Sequence, residues 1–305
     1  MCDRAMTDSE HAPATLTVRM AICGNVIERR DVDDMLDVVK SRLQTDTPRS
    51  LAVGSVNLDH LNHFRGRGAL GHQTGPEWLL LADGMPIAWR GQLLTARPWP
   101  RVTGAELLPR LLEFAEESGF RVGFLGGTVD THQRLAGRLD SDYPELVISG
   151  MWSPGAQELA TDSAEIAGAI RKARTDILVV CLGKPRQEQW VDRYGVDTGA
   201  RLFLPFGAAA DFLAGTKRRA PQWMQRSGLE WFYRLSREPR RLARRYLIQG
   251  PIALLRAVRA QLIYAPGVYF SAAEDDGYRG ECQGLTDAVE SRPRAVQAMS
   301  STRTP

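Results

Sequence analysis

The chain has 305 residues, 43% of them hydrophobic and 25% charged, which is globular composition with room for one large domain or two smaller ones. A net charge of +3 is too small to name a partner, so the placement of charge has to do so. The four cysteines, Cys2, Cys23, Cys181 and Cys282, are far apart with no CxxC pair, which speaks against a zinc site or disulfide framework and fits a reducing compartment.

In chain order, residues 1–15 are polar, lack the apolar core of a signal peptide, and are expected to be disordered. LTVRMAICG (16–24) predicts a strand, and DVDDMLDVVKSRL (31–43) a helix with Met35, Leu36, Val38, Val39 and Leu43 on one side. LAVGSVN (51–57) and WLLLADG (78–84) predict strands that each end in a polar turn. His60 and His63 have metal-like spacing, but nothing completes a ligand set, so a solvated or helix-facing pair is the expectation. GAELLPRLLEFAEESG (104–119) predicts a helix, bent at Pro109.

Strands then alternate with helices: RVGFLGG (121–127), THQRLAGRLDSDY, ELVISG (145–150), SAEIAGAIRKA (163–173), DILVVCLG (176–183), RQEQWVDRYG (186–195) and RLFLPFG (201–207). This rhythm predicts an α/β fold with a Rossmann-like, mostly parallel sheet covered by helices. Ligands of such sheets sit at the carboxyl ends of the strands. Asn57, Asp83, Gly126, Gly127, Gly183 and Gly207 are all expected there.

Asp83 and Gly84 interrupt an oily run, and a carboxylate there must be paired or set to work. GFLGGTVD (123–130) suits a tight turn as well as a phosphate cradle, since it is neither GxGxxG nor a Walker sequence. In CLGKPRQEQW (181–190), Lys184 and Arg186 place two cations at the positive end of a helix, a conflict that an anionic ligand would relieve; solvated surface charge competes with that reading. The triplets Asp31-Val32-Asp33 and Asp140-Ser141-Asp142 follow no buried strand, so no metal site is expected at either.

The stretch 215–247 is the most basic part of the chain. Arg234, Arg237, Arg241, Arg244 and Arg245 recur at helical spacing among Trp231, Phe232, Tyr233, Leu235, Leu242 and Leu247. Such a helix suits an anionic bilayer, phosphate groups, nucleic acid or plain solvent. Residues 246–270 are broken by Arg256, Arg259 and two prolines, so no segment is expected to span a membrane, and everything after 272 is expected to be a disordered tail. The resulting division is 16–215 for the α/β domain and 216–271 for a basic, amphipathic helical appendage.

Together these segments resemble the WecG/TagA/CpsF family of bacterial glycosyltransferases. The likeness rests on VNLDHLNHF, LADGMPIAW, RVTGAELL, GFLGGT, YPEL, LGKPRQEQW, the Asp211 to Gly215 segment, RRAP and GLEWFYRLSREPRRLARRYL, in that order from about 17 to 250. The resemblance implies inverting transfer of an N-acetylmannosamine-type sugar from a UDP-sugar to a polyprenyl-diphosphate-linked sugar, in the making of a cell-surface polysaccharide or teichoic-acid-type polymer. It implies Asp83 as catalytic base, with Ser55 and Arg101 beside the reacting groups. The expected substrate-binding set is Asn57, Gly84, Gly104, Gly126, Gly127, Gly183, Gln187, Glu188, Asp211, Arg234, Arg241 and Arg244.

The arginines would neutralise the departing diphosphate, so no metal or other cofactor is expected. The implied location is cytoplasmic, peripheral at the anionic inner face of the plasma membrane, and family habit adds a homo-oligomer. Departures from the family pattern include Ser55-Val56 for Thr-Pro, Pro86 for glycine, Glu106 for aspartate, Arg186 for lysine and the lack of Phe before Asp211. The alternative is a nucleic-acid or anionic-surface binding module built on the arginine helix. Glu230 and Glu238 count against it, so nucleic acid is not an expected partner. A dehydrogenase lacks its glycine fingerprint.

Overall fold

The computed structural model describes residues 17–45, 47–66, 70 and 74–265, all within one compact unit; the expected tails, 1–15 and 272–305, lie outside the described residues. Among the described residues there are nine strands: β1 (Thr17–Ile22), β2 (Asn25–Glu28), β3 (Leu51–Val56), β4 (Glu77–Ala82), β5 (Val122–Gly126), β6 (Ile148–Trp152), β7 (Ile177–Cys181), β8 (Leu202–Leu204) and β9 (Gln261–Ala265). They form one sheet in the order β6-β5-β7-β8-β3-β4-β2-β1-β9. Pairing is parallel from β6 through to β2 and antiparallel where β1 meets β2 and β9. The α/β class expected from the alternation is the one observed.

The run WLLLA is apolar throughout because β4 is covered on both faces. Leu79 and Leu81 join the cluster under the helices Val32–Gln44 and Gly104–Ser118, while Leu80 and Ala82 face Leu61, Ile87, Ala253 and Ala257. A third cluster packs Leu178, Val180 and Phe203 against Ile166, Ile170, Trp190 and Val191. Each fully buried leucine or isoleucine contributes roughly 1.5–3 kcal/mol, so the two covered faces fix the strand register that brings the strand ends together.

Several expectations need correction. The segment 16–24 is not one strand: Cys23 and Gly24, at φ 53° and 85°, make a two-residue turn that starts β2, which pairs in parallel with β4. Short helices follow β3 and β4, at Leu58–His63 and Met85–Thr95, where only polar turns are expected. Gly207 opens the helix Gly207–Leu213 instead of ending a strand. The helix expected through Pro109 is present as one element, Gly104–Ser118. The basic segment is not helical throughout either, because it returns to the sheet as β9 beside β1.

Both acidic triplets have local structural partners. Asp31 caps the helix Val32–Gln44, Asp33 pairs with Arg110, and Asp142 pairs with Arg138.

Candidate active site

The parallel strands end on one side of the sheet, and a cleft of about 740 Å³ opens above the ends of β3, β4, β7 and β8. The reversal of strand order between the two halves puts it where open α/β sheets hold ligands. After Ala82 the chain leaves the sheet. The Asp83 and Gly84 amides both donate to the Val56 carbonyl, at 2.9 and 3.3 Å, and Gly84 starts the helix Met85–Thr95. The oily run therefore stops one residue before Asp83, whose carboxylate lines the cleft. Asn57 Nδ2 donates to Asp83 Oδ2 at 3.2 Å, while Asn57 Oδ1 caps the next helix through the His60 amide. The carboxylate is thus oriented by a side chain that is itself fixed by a helix start.

Lys184 holds the floor together. Its ammonium lies 2.9 Å from the Ser55 carbonyl, 3.3 Å from Glu188 Oε1 and 3.4 Å from His60 Nδ1. These three acceptors match the three donors of an ammonium group. Of the two cations expected to conflict with this helix start, Lys184 is met from within, by Glu188 one turn along, while Arg186 is exposed. His60 is fully buried, with Nε2 against Asn25 Oδ1 at 3.2 Å, contrary to the solvated or helix-facing pair expected. Burial first, then Lys184 and His63, hold its pKa well below the usual value, which keeps it neutral, with Nδ1 free to accept from Lys184. Gln187 Nε2 donates to the Pro205 carbonyl at 2.6 Å and to Glu188 at 3.1 Å.

The far wall comes from the basic segment. On the helix Glu230–Arg237, residues Glu230, Tyr233, Arg234 and Arg237 fall at i, i+3, i+4 and i+7 and all line the cleft, while Trp231 and Phe232 are exposed. Glu230 pairs with Arg234 at 2.7 Å and reaches Arg101 at 3.8 Å; Arg101 lies 3.5 Å from Glu106, which pairs with Arg219 at 3.3 Å. Burial alone would weaken the hold of Arg234 on its proton, but Glu230, Tyr246 and Asp83 outweigh it and raise its pKa. Lys217 pairs with Asp211 at 2.5 Å, and Arg245 with Asp59 at 3.3 Å. Burial and then Asp211 push the Cys181 thiol up to about 12, so it stays protonated at neutral pH.

Of the residues expected at the site, Ser55, Asn57, Asp83, Gly104, Gly127, Gly183, Gln187, Asp211 and Arg234 line the cleft. Arg101, Gly84, Gly126, Glu188 and Arg244 do not. Arg101 stands behind Glu106 and Glu230, and Glu188 is buried beneath the floor. A side chain on Gly126 would strike the Cys181 backbone at 2.7 Å, so this glycine, at φ 91°, permits close strand packing. Arg244 is exposed and its neighbour Arg245 reaches the cleft; the side chain of Arg241 lies outside the described residues.

The expected site set omits Lys184, Arg219, Glu230, Tyr233, Arg237 and Arg245, all of which line the cleft. The helical spacing from Glu230 to Arg237 was the available signal for three of these positions.

Known proteins share much of this sequence. The model of the glycosyl transferase WecG/TagA/CpsF family matches residues 20–266. An N-acetylglucosaminyldiphosphoundecaprenol N-acetyl-beta-D-mannosaminyltransferase of Bacillus subtilis (strain 168) is 31% identical over 165 residues, which are 54% of this chain and 63% of the relative. The enzyme of that name from Bacillus spizizenii is 30% identical over 59% of this chain and 69% of its own. Its namesake from Staphylococcus aureus (strain MRSA252) is 22% identical over 80% of this chain and 94% of its own. With a family match that runs from within β1 to beyond β9 and takes in the cleft and the basic wall, the chain belongs to the glycosyl transferase WecG/TagA/CpsF family.

Proposed function

We propose that this glycosyltransferase moves an N-acetylmannosamine-type sugar, with inversion, from a UDP-sugar to a sugar carried on a polyprenyl diphosphate. The observation that carries the reading is the placement of Asp83, a carboxylate at a strand end on a cleft floor, oriented by Asn57 and faced by the arginine wall. As the acceptor hydroxyl oxygen bonds to the anomeric carbon, the bond from that carbon to the diphosphate oxygen breaks, and Asp83 takes the hydroxyl proton. The electron pair leaves with UDP, whose new negative charge falls to Arg234 and its neighbours. The relatives' names, which specify a diphosphoundecaprenol-linked acceptor, support the lipid-linked substrate.

A lipid-borne acceptor calls for a membrane-facing surface, and the basic segment supports one. Among the described residues no helix is long and apolar enough to cross a membrane. The helix Gly250–Ala257 turns Gly250, Ala253 and Ala257 toward the core and leaves Ile252, Leu254 and Leu255 exposed, with Leu247, Ile248 and Val258 flanking them. Small residues inside and large apolar ones outside is the reverse of a solvated helix, and suits insertion at a bilayer surface among Arg244, Arg256 and Arg259. That surface supports reading the enzyme as peripheral, on the cytoplasmic face that offers nucleotide sugar and anionic lipid.

The test is Asp83→Asn, assayed with UDP-N-acetylmannosamine and a short polyprenyl-diphosphate acceptor. Turnover is expected to fall by about 10²–10⁴-fold while UDP still binds. Undiminished turnover in a folded variant removes Asp83 from the mechanism.

A further inference from the structure

Seven cations and four carboxylates line the cleft. Five of these cations each have an internal carboxylate partner: Lys184 has Glu188, Lys217 has Asp211, Arg219 has Glu106, Arg234 has Glu230 and Arg245 has Asp59. Among these partners Glu230 combines two features: it lines the cleft, as Asp211 also does, and it touches two guanidinium groups from separate segments, as Glu106 also does, Arg234 at 2.7 Å and Arg101 at 3.8 Å. Arg101, only 17% exposed, is held between Glu106 and Glu230 at 3.5 and 3.8 Å, both longer than a charge-assisted hydrogen bond of about 2.7–2.9 Å. Its donors are close to carboxylates without being closely engaged by them.

We propose that Glu230 is an exchangeable internal counter-ion: it holds Arg234 on the cleft wall and Arg101 just behind it, and gives them up to the diphosphate of the nucleotide. The inference rests on the UDP-sugar reading above and adds the residue that sets how tightly the diphosphate is held. The helix Glu230–Arg237 fixes the geometry, because Glu230 and Arg234 lie one turn apart on the face turned to the cleft. A diphosphate brings more charge and more acceptor oxygens than one carboxylate, so it displaces Glu230 when it enters. When the sugar has left, Glu230 competes for the same guanidinium groups and lowers the affinity for product. Without such a competitor, arginines gathered to stabilise a leaving group would also retain it.

Calorimetric titration of the full chain with UDP, inorganic pyrophosphate and uridine tests this. Glu230→Gln keeps the shape of the side chain and removes its charge. It is expected to bind UDP and pyrophosphate each about tenfold more tightly than the unsubstituted chain, with uridine unchanged. Glu230→Asp, which keeps the charge but withdraws it from Arg101, is expected to give a smaller gain in the same order, and serves if the first variant does not fold. In an Arg234→Gln background the gain is expected to shrink to the smaller part that Arg101 supplies. No gain for either phosphate ligand, an equal gain for uridine, or a gain undiminished without Arg234 overturns the proposal. If pyrophosphate tightens while UDP binds neither protein, the counter-ion role stands and the UDP-sugar reading falls.

Discussion

Lys184→Met is expected to cost stability because of what it leaves behind. Glu188, only 2% exposed, would keep a single short contact, from Gln187 Nε2 at 3.1 Å, while its Oε2 already has no hydrogen-bond partner. The His60 Nδ1 lone pair and the Ser55 carbonyl would lose their donor as well. Removing one member of a buried pair costs roughly 3–5 kcal/mol. The Lys184 side chain is 11% exposed, so water reaches the site in part, and the expected loss falls to about 2–4 kcal/mol. Guanidinium unfolding followed by circular dichroism should show a lower midpoint with an unchanged slope. Adding Glu188→Gln removes the stranded charge and is expected to recover about half of the loss or more. A single-variant cost below about 1 kcal/mol, or no recovery in the double variant, would refute the idea that Lys184 balances a buried carboxylate.

Two further outcomes follow from the same structure. His60 has a folded-state pKa below its ordinary value of 6.5, from burial and then Lys184, so the unfolded chain binds the extra proton more readily. Its contribution is complete above pH 6.5 and is lost as pH falls below that value towards the folded pKa; Tm measured across this window should decline on acidification, and His60→Gln should flatten that part of the profile. For the outward-facing apolar residues, Leu255→Glu, at a position 73% exposed, is expected to weaken co-sedimentation with anionic vesicles at least about tenfold. It should leave hydrolysis-independent UDP binding intact, and equal sedimentation of both proteins would remove Leu255 from the membrane-facing surface.

The sheet was legible because its strands carry unbroken apolar runs, and runs such as WLLLA and ILVVC occur only where both faces are covered. Strand ends were legible for the same reason: the apolar pattern stops at Ala82, and Asp83 has to emerge next to it. The short helices after β3 and β4 were hidden because each has six to eleven residues and a polar start that also suits a turn. β2 was hidden by a turn built on Cys23, a residue that rarely takes positive φ.

The cleft wall was harder to infer because charge in a sequence carries no sign of its partner. Lys184 looked like a cation waiting for a ligand, and proved to be satisfied by a carboxylate four residues on, a carbonyl on β3 and a neutral histidine. Glu230 looked like a residue diluting a basic stretch, yet it is the group that links Arg234 to Arg101. The two cases differ in accessibility: Glu188 is sealed at 2% exposure, while the Glu230 side chain keeps 21% and opens on the cleft. A sealed pair fixes structure, whereas a pair that solvent and ligand can reach is able to exchange. On the proposed reading, the arginines that serve a diphosphate are those whose internal partner is itself exposed to the cleft, which favours Arg234 and Arg101 over Lys184.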